Sequence, residues 1–165
     1  MSDSTPSNFK QEQKEPLFTA ISSGDASFQD AFTRASQTLP RFIAHIQSGM
    51  RGHFSAKLRF RDPDESERLG EDRFLFLWLT GVQYHAVERD FTGVFFEVPQ
   101  ELQKWHQVGQ QLTFQGEDIF DWMALTEDGR LFGGHTLRVS RSKLPESKRA
   151  DYDRYIGVTE YEPDA

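Results

Sequence analysis

From Phe28 the apolar positions fall at Phe28, Phe32, Ala35, Leu39, Phe42 and Ile46, in steps of four, three, four, three and four. That spacing stays on one side of a 3.6-residue period and predicts a helix with an apolar stripe. Ser27 stands where an N-cap belongs. Pro40 interrupts the stripe, because proline cannot donate the bond a helix interior needs. Either the helix kinks there or Thr38 caps a second helix entered at Pro40, and Gly49 and Gly52 close the segment. The period then changes to two. Phe54, Ala56, Leu58 and Phe60 point one way and Ser55, Lys57, Arg59 and Arg61 the other, which predicts a half-buried strand from His53 to Arg61.

Arg73 to Thr80 is a continuous apolar run, the pattern of a strand covered on both faces or nearly so. It continues through Val82, Tyr84 and Ala86 to a turn at Glu88-Arg89-Asp90. A return strand follows from Phe91 to Val98, in which Gly93 marks a bulge or a close approach. The acidic segment between the first two strands, DPDESERLGED, reads as a solvated connection. It fails as a calcium loop, since Glu67 and Arg73 stand where Gly and a bidentate Glu are needed. Gln100 to His106 fits one short helical turn, and Leu112 and Phe114 a further strand. Asp128-Gly129 is a hairpin turn between arms at Trp122 to Thr126 and Arg130 to Val139. The second arm is broken at Gly133-Gly134 and resumes as a basic alternating strand from His135. Pro145 opens a last helix running to about Tyr155.

Helical segments flanking consecutive antiparallel strands predict an α+β domain. The sheet is expected to be strongly curved, with about five or six strands and glycines placed to bend it toward a partly open barrel. An N-terminal helix and a short C-terminal helix complete it. The domain is expected to span residues 17–160, with Leu17, Phe18 and Ile21 beginning to dock. A disordered polar tail at 1–16 and an acidic tail at 161–165 flank it.

Composition narrows the function classes. The chain has 165 residues, enough for one domain with a full core, and its fifteen Phe and three Trp supply that core. It contains no Cys, hence no thiolate metal site and no disulfide. With a polar N-terminus lacking an apolar leader, this points to a cytoplasmic protein with no membrane span. A net charge of −7 argues against general nucleic-acid binding.

Candidate chemistry concentrates between Asp118 and Val139. Gly129 to Thr136 has P-loop spacing with His135 in place of the essential Lys, and its context of strand rather than helix marks the match as chance. The five His residues, at 45, 53, 85, 106 and 135, show no metal-ligand spacing. No nucleophile motif is present, so neither catalytic residues, a metal nor a cofactor is expected. His45 reads as an exposed or capping residue. Glu117, Asp118 and Asp121 cluster as carboxylates able to share a proton or hold a cation, although capping of backbone donors is the simpler role. Trp122 is expected in the core, with Asp121 pairing Arg138 across the hairpin. The functional alternative sets Asp121, His135 and Arg138 around a pocket floored by Trp122. Lys57, Arg59 and Arg61 form a basic ladder that either meets an acidic partner or cross-pairs with carboxylates on the next strand.

Ile119-Phe120-Asp121-Trp122-Met123, followed by Gly129, Gly133-Gly134, Thr136 and Leu137-Arg138-Val139, resembles the DUF2314 (YegJ-like) family of bacterial domains of unknown function. Residues 28–155 carry the resemblance, and His135 replaces an aromatic residue such as Tyr. The resemblance implies a bacterial α+β domain without an assigned activity. The expected function is a non-enzymatic binding or accessory module for a protein partner, an immunity-type protein facing a basic toxin being one form. The alternative is a small enzyme or ligand-binding domain using Asp121, His135 and Arg138.

Overall fold

The structure, a computed structural model, describes residues 25–163. The tail at residues 1–16, the docking of Leu17, Phe18 and Ile21, and the last two residues lie outside the described residues.

The two periods in the sequence become two helices and a central strand. The helical stripe divides at Thr38 into α1 (Ala26–Gln37) and α2 (Leu39–Gln47), with Pro40 in the first turn of the second, where its missing N–H costs nothing. Of the two alternatives at Pro40, the second helix is therefore the one adopted. Asp25, not Ser27, caps α1: its carboxylate accepts from the Ser27 and Phe28 amides at 2.9 and 3.4 Å. The alternating run becomes β1 (Gly52–Arg61), hydrogen-bonded on one side to β2 (Phe74–His85) and on the other to β5 (Ile119–Thr126).

Around this trio the sheet adds β3 (Asp90–Phe95), β4 (Gln111–Phe114), β6 (Arg130–Gly133) and β7 (Glu160–Tyr161). Among the described residues its seven strands run β4-β3-β2-β1-β5-β6-β7, antiparallel except for β6 with β7. That exceeds the five or six expected, because β7 joins the last residue of the expected domain, Glu160, to the first of the expected acidic tail, Tyr161. The edge strands do not pair with each other, so the sheet stays open. It does bend: β2 carries a register shift between Thr80 and Gln83, with Gly81 at a φ of +60° inside it. Gly93 serves close packing, since a Cβ there would sit 3.2 Å from Leu79 Cβ.

The faces of β1 assign the layers. Ala56 lies opposite Leu79 on β2 and Trp122 on β5. On this face Phe42 of α2 is completely buried, stacked on Trp122 at 5.2 Å and on Phe91 at 6.2 Å. Burying rings of this size contributes roughly 1.5–3 kcal/mol each. On the opposite face, α1 sets Phe32 against Phe76 and Phe120 at 5.6 and 5.2 Å. The helix pair α1–α2 thus straddles the sheet, with Thr38 at the crossing.

Two expectations fail, one where acidity and the other where an apparent period of two outweighed local signals. The acidic connection holds a helix, α3 (Pro63–Leu69), capped by Asp62 on the Glu65 amide at 3.0 Å and ended by left-handed Gly70. The segment after the double glycine is not a strand but α4 (His135–Ser142), followed by α5 (Glu146–Ile156). Gly133 and Gly134 both take positive φ, +73° and +64°, which ends β6 and turns the chain into the helix. Tyr161 fastens β7 to α5: its hydroxyl donates to Asp153 at 2.5 Å, and Arg141 grips the same carboxylate at 2.8 and 3.0 Å.

Candidate functional site

A bulge positions the central acid. Lys57 pairs with Asp121, but the next residue, Leu58, pairs with Ile119, leaving Phe120 as the extra residue on β5. Phe120 therefore joins Phe32 and Phe76 on the Lys57 face, and Asp121 beside it reaches α4. Gly134, at the N-cap of α4, has no side chain to offer the first amides. Asp121 does that work from another strand. Its Oδ1 accepts from the His135 amide at 3.1 Å and its own neighbour Trp122's amide at 2.8 Å. Its Oδ2 accepts from the Thr136 amide at 2.7 Å and the Thr136 hydroxyl at 2.6 Å. A carboxylate at a helix N-terminus is also favoured by the helix dipole. This cap holds α4 onto β5.

Lys57 completes the buried group. Its ammonium donates to the Thr136 hydroxyl at 3.0 Å and lies 5.3 Å from the centre of the Trp78 ring. The residue is only 4% exposed. Burial pushes its pKa down to about 8, with the Asp121 charge pulling the other way. The basic ladder is thus split: Arg59 is exposed, over Phe74 at 4.1 Å, and Arg61 is exposed and paired with Asp72 at 2.9 Å, whereas Lys57 is enclosed.

A pH dependence follows from Lys57, with a definite sign. Between about 8 and the ordinary value of 10.5 the unfolded chain holds a proton that the folded chain has released. Stability contributed by this group therefore rises with pH across that window, by at most ~1.4 kcal/mol per unit. Urea unfolding of the wild type and of Lys57→Met should show their difference moving in favour of the wild type between pH 8 and 10. A difference that stays flat, or moves the other way, contradicts the buried ammonium.

Asp121, His135 and Arg138 do not converge on one pocket. In a strand, Thr136 and Arg138 would share a face; on α4 they are about 200° apart, so Arg138 turns away when Thr136 meets Asp121. Arg138 donates instead to the carbonyls of Gly133 and Leu131 at 2.8 and 3.3 Å, and its guanidinium lies 5.5 Å from the Tyr161 ring centre. The expected Asp121–Arg138 pair is replaced by Asp121, Thr136 and Lys57. The P-loop match meets a helix after all, but β6 occupies its loop and Asp121 its helix amides. Asp118 caps as well, accepting from the Gln115 amide at 2.9 Å.

His135 is buried between two clefts. One, of about 290 Å³, lies between α1 and α4 beside Asp30, Arg34 and Arg138. The other, of about 270 Å³, lies between α2 and the end of β6, lined by Arg41, His45, Trp122, Phe132, His135 and Glu162. In this second cleft His45 sits 4.4 Å from the Phe132 ring and 6.2 Å from Trp122. Its pKa is lowered, first by burial and then by the Arg41 charge. The Thr38 hydroxyl donates to the Arg34 carbonyl at 2.7 Å, so its oxygen accepts from Trp122 Nε1 at 3.1 Å and from His135 Nε2 at 3.2 Å. This fixes both rings of the wall.

Residues 25–159 match the family described as an uncharacterized protein conserved in bacteria, DUF2314. The chain belongs to this family. No curated protein and no solved structure matches it. In this DUF2314 domain the Asp121-Trp122 and Gly133-Gly134 residues are therefore read by their contacts: acid and glycines build the β5–β6–α4 junction, and Trp122 also faces a cleft. Arg41 and Phe132 went unnoticed in the sequence, and His45, expected as an exposed or capping residue, is half-buried in the cleft wall, although Arg41 and His45 are four apart on α2 and so share a helix face. Among the described residues no cluster of three metal-ligating side chains occurs, and no helix is long and apolar enough to cross a membrane.

Proposed function

We propose that this DUF2314 domain is a non-enzymatic binding module for a protein partner, which seats one residue of that partner in the cleft beside α2. Arg41 carries the proposal. Its exposed guanidinium lies at a cleft walled by Trp122 and Phe132 and pairs with no carboxylate among the described residues. An aromatic pocket with a cation at the rim suits an anchor residue of a protein interface. The volume, about 270 Å³, falls just below the ~300–1,000 Å³ usual for small-molecule sites and fits a single inserted side chain. The enzyme reading is weaker, because Asp121, the acid of its expected pocket, is fully enclosed and both its oxygens already accept bonds. The net charge of −7 favours a basic partner through steering, as for an immunity-type protein facing a basic toxin.

The test is comparative affinity purification from a native bacterial host, wild type against Arg41→Glu, quantified by mass spectrometry. The proposal expects a protein enriched on the wild type and lost from a variant that unfolds at the same urea concentration. Equal recovery of every enriched protein on both baits would remove the cleft from the interface.

A further inference from the structure

We infer that the residue seated in this cleft is the C-terminal residue of the partner, held by its free carboxylate and its apolar side chain. The inference rests on the binding-module reading and adds the chemistry of the anchor.

The charge arrangement of the cleft selects an anion. Glu162 is the acid in its lining, and Arg130 neutralises it at 3.0 Å while lying 5.3 Å from the Phe132 ring centre. Among the described residues Arg41 pairs with no carboxylate, so it is the cation the cleft leaves open to a ligand, on a protein of net charge −7. A planar guanidinium matches a carboxylate through paired N–H donors. The walls select the rest of the ligand. The half-buried Phe132 offers ring surface, the enclosed Trp122 ring backs the cleft, and His45 stands beside both with its pKa lowered toward the neutral imidazole. The Thr38 hydroxyl, the Trp122 indole N–H and His135 Nε2 are occupied with one another and leave the floor apolar in character.

A carboxylate beside an apolar side chain is the chemistry of a chain end. An internal Asp or Glu brings the same charge but carries it on the side chain, so it leaves no apolar group to meet Trp122 and Phe132. Even a basic partner has a free C-terminus, which reconciles the acidic overall charge with a cationic cleft. Recognition of a C-terminal carboxylate is a recurring mode of peptide binding.

Three probes separate the sources: N-acetyl-phenylalanine, its carboxamide, and N-acetyl-aspartic acid carboxamide. Each is titrated into the whole protein while NMR follows the Trp122 indole N–H and the His45 ring. N-acetyl-phenylalanine is expected to bind saturably, to raise the His45 pKa through its negative charge, and to bind at least ~10-fold more tightly than either other probe. Arg41→Gln should weaken it by a similar factor and leave the urea midpoint in place.

Equal binding of acid and carboxamide would mean that the cleft reads only the ring, and overturns the inference. Equal binding of the aspartyl probe would overturn the chain end as the source. Absence of a saturable shift with all three overturns the carboxylate anchor altogether. None of these outcomes alters the purification result with Arg41→Glu, which judges the binding-module reading by itself.

Discussion

Asp121→Ala is expected to cost about 3–5 kcal/mol, the usual consequence of taking one partner out of a buried polar group that includes a charge. Four donors lose their acceptor at once: three backbone amides and the Thr136 hydroxyl. Gly134 cannot replace the cap, so the first turn of α4 is left with orphan amides in a dry environment. Lys57 loses the charge that opposes its desolvation. The loss is a large fraction of the ~5–15 kcal/mol that holds a domain of this kind together. Asp121→Asn preserves shape and one acceptor and should fall between the wild type and the alanine variant. Urea midpoints with an unchanged slope give the measurement. A loss below ~1 kcal/mol for the alanine variant would mean that water satisfies these donors and that the site is open.

Trp122→Ala is expected to cost a similar ~3–5 kcal/mol, as for other emptied aromatic sites. The ring is 2% exposed and stacks on Phe42 at 5.2 Å. Gly133 approaches so closely that a Cβ there would lie 2.6 Å from the indole. Collapse into the vacated space is resisted by β5 behind it and by Phe42, itself fully enclosed. Trp122→Phe separates packing from hydrogen bonding: it keeps much of the stack and loses the donor to Thr38, at a cost of about 1 kcal/mol from that bond. An alanine variant with the wild-type urea midpoint would place the indole on the surface and overturn the account of the core.

The sequence was most readable where one face of an element meets the core. The stripe from Phe28 to Ile46 and the alternation from Phe54 to Phe60 led directly to α1, α2 and β1, because burial imposes the period. Asp128-Gly129 located its hairpin through turn chemistry. His135 to Val139 misled because Leu137 and Val139 alternate with polar residues over a span too short to separate two periods. The decisive facts were the two glycines at positive φ and a capping acid 14 residues upstream of His135, and no local pattern encodes the second. α3 was different: Asp62-Pro63 at its start and Gly70 at its end were visible signals, outweighed by acidity. The site suffered from the same error. With α4 read as a strand, Arg138 pointed at Asp121, and Lys57 was left as one rung of a basic ladder with no carboxylate named for it. Its register opposite Asp121 appears only once β1 and β5 pair. Arg41 and His45 became site residues through β6 and the end of the chain, which are distant in sequence from α2.

The most direct test of the central claim, that Asp121 is scaffold and recognition lies beside it, is a pair of double-mutant cycles in urea. One combines Asp121→Asn with Lys57→Met, the other Asp121→Asn with Arg138→Gln. Coupling to Lys57 well above ~0.5 kcal/mol, with a smaller value for Arg138, is the result the buried Asp121–Thr136–Lys57 group requires. Coupling to Lys57 within error of zero, or a larger value for Arg138, would contradict it and return Asp121 to the list of groups free to face a ligand.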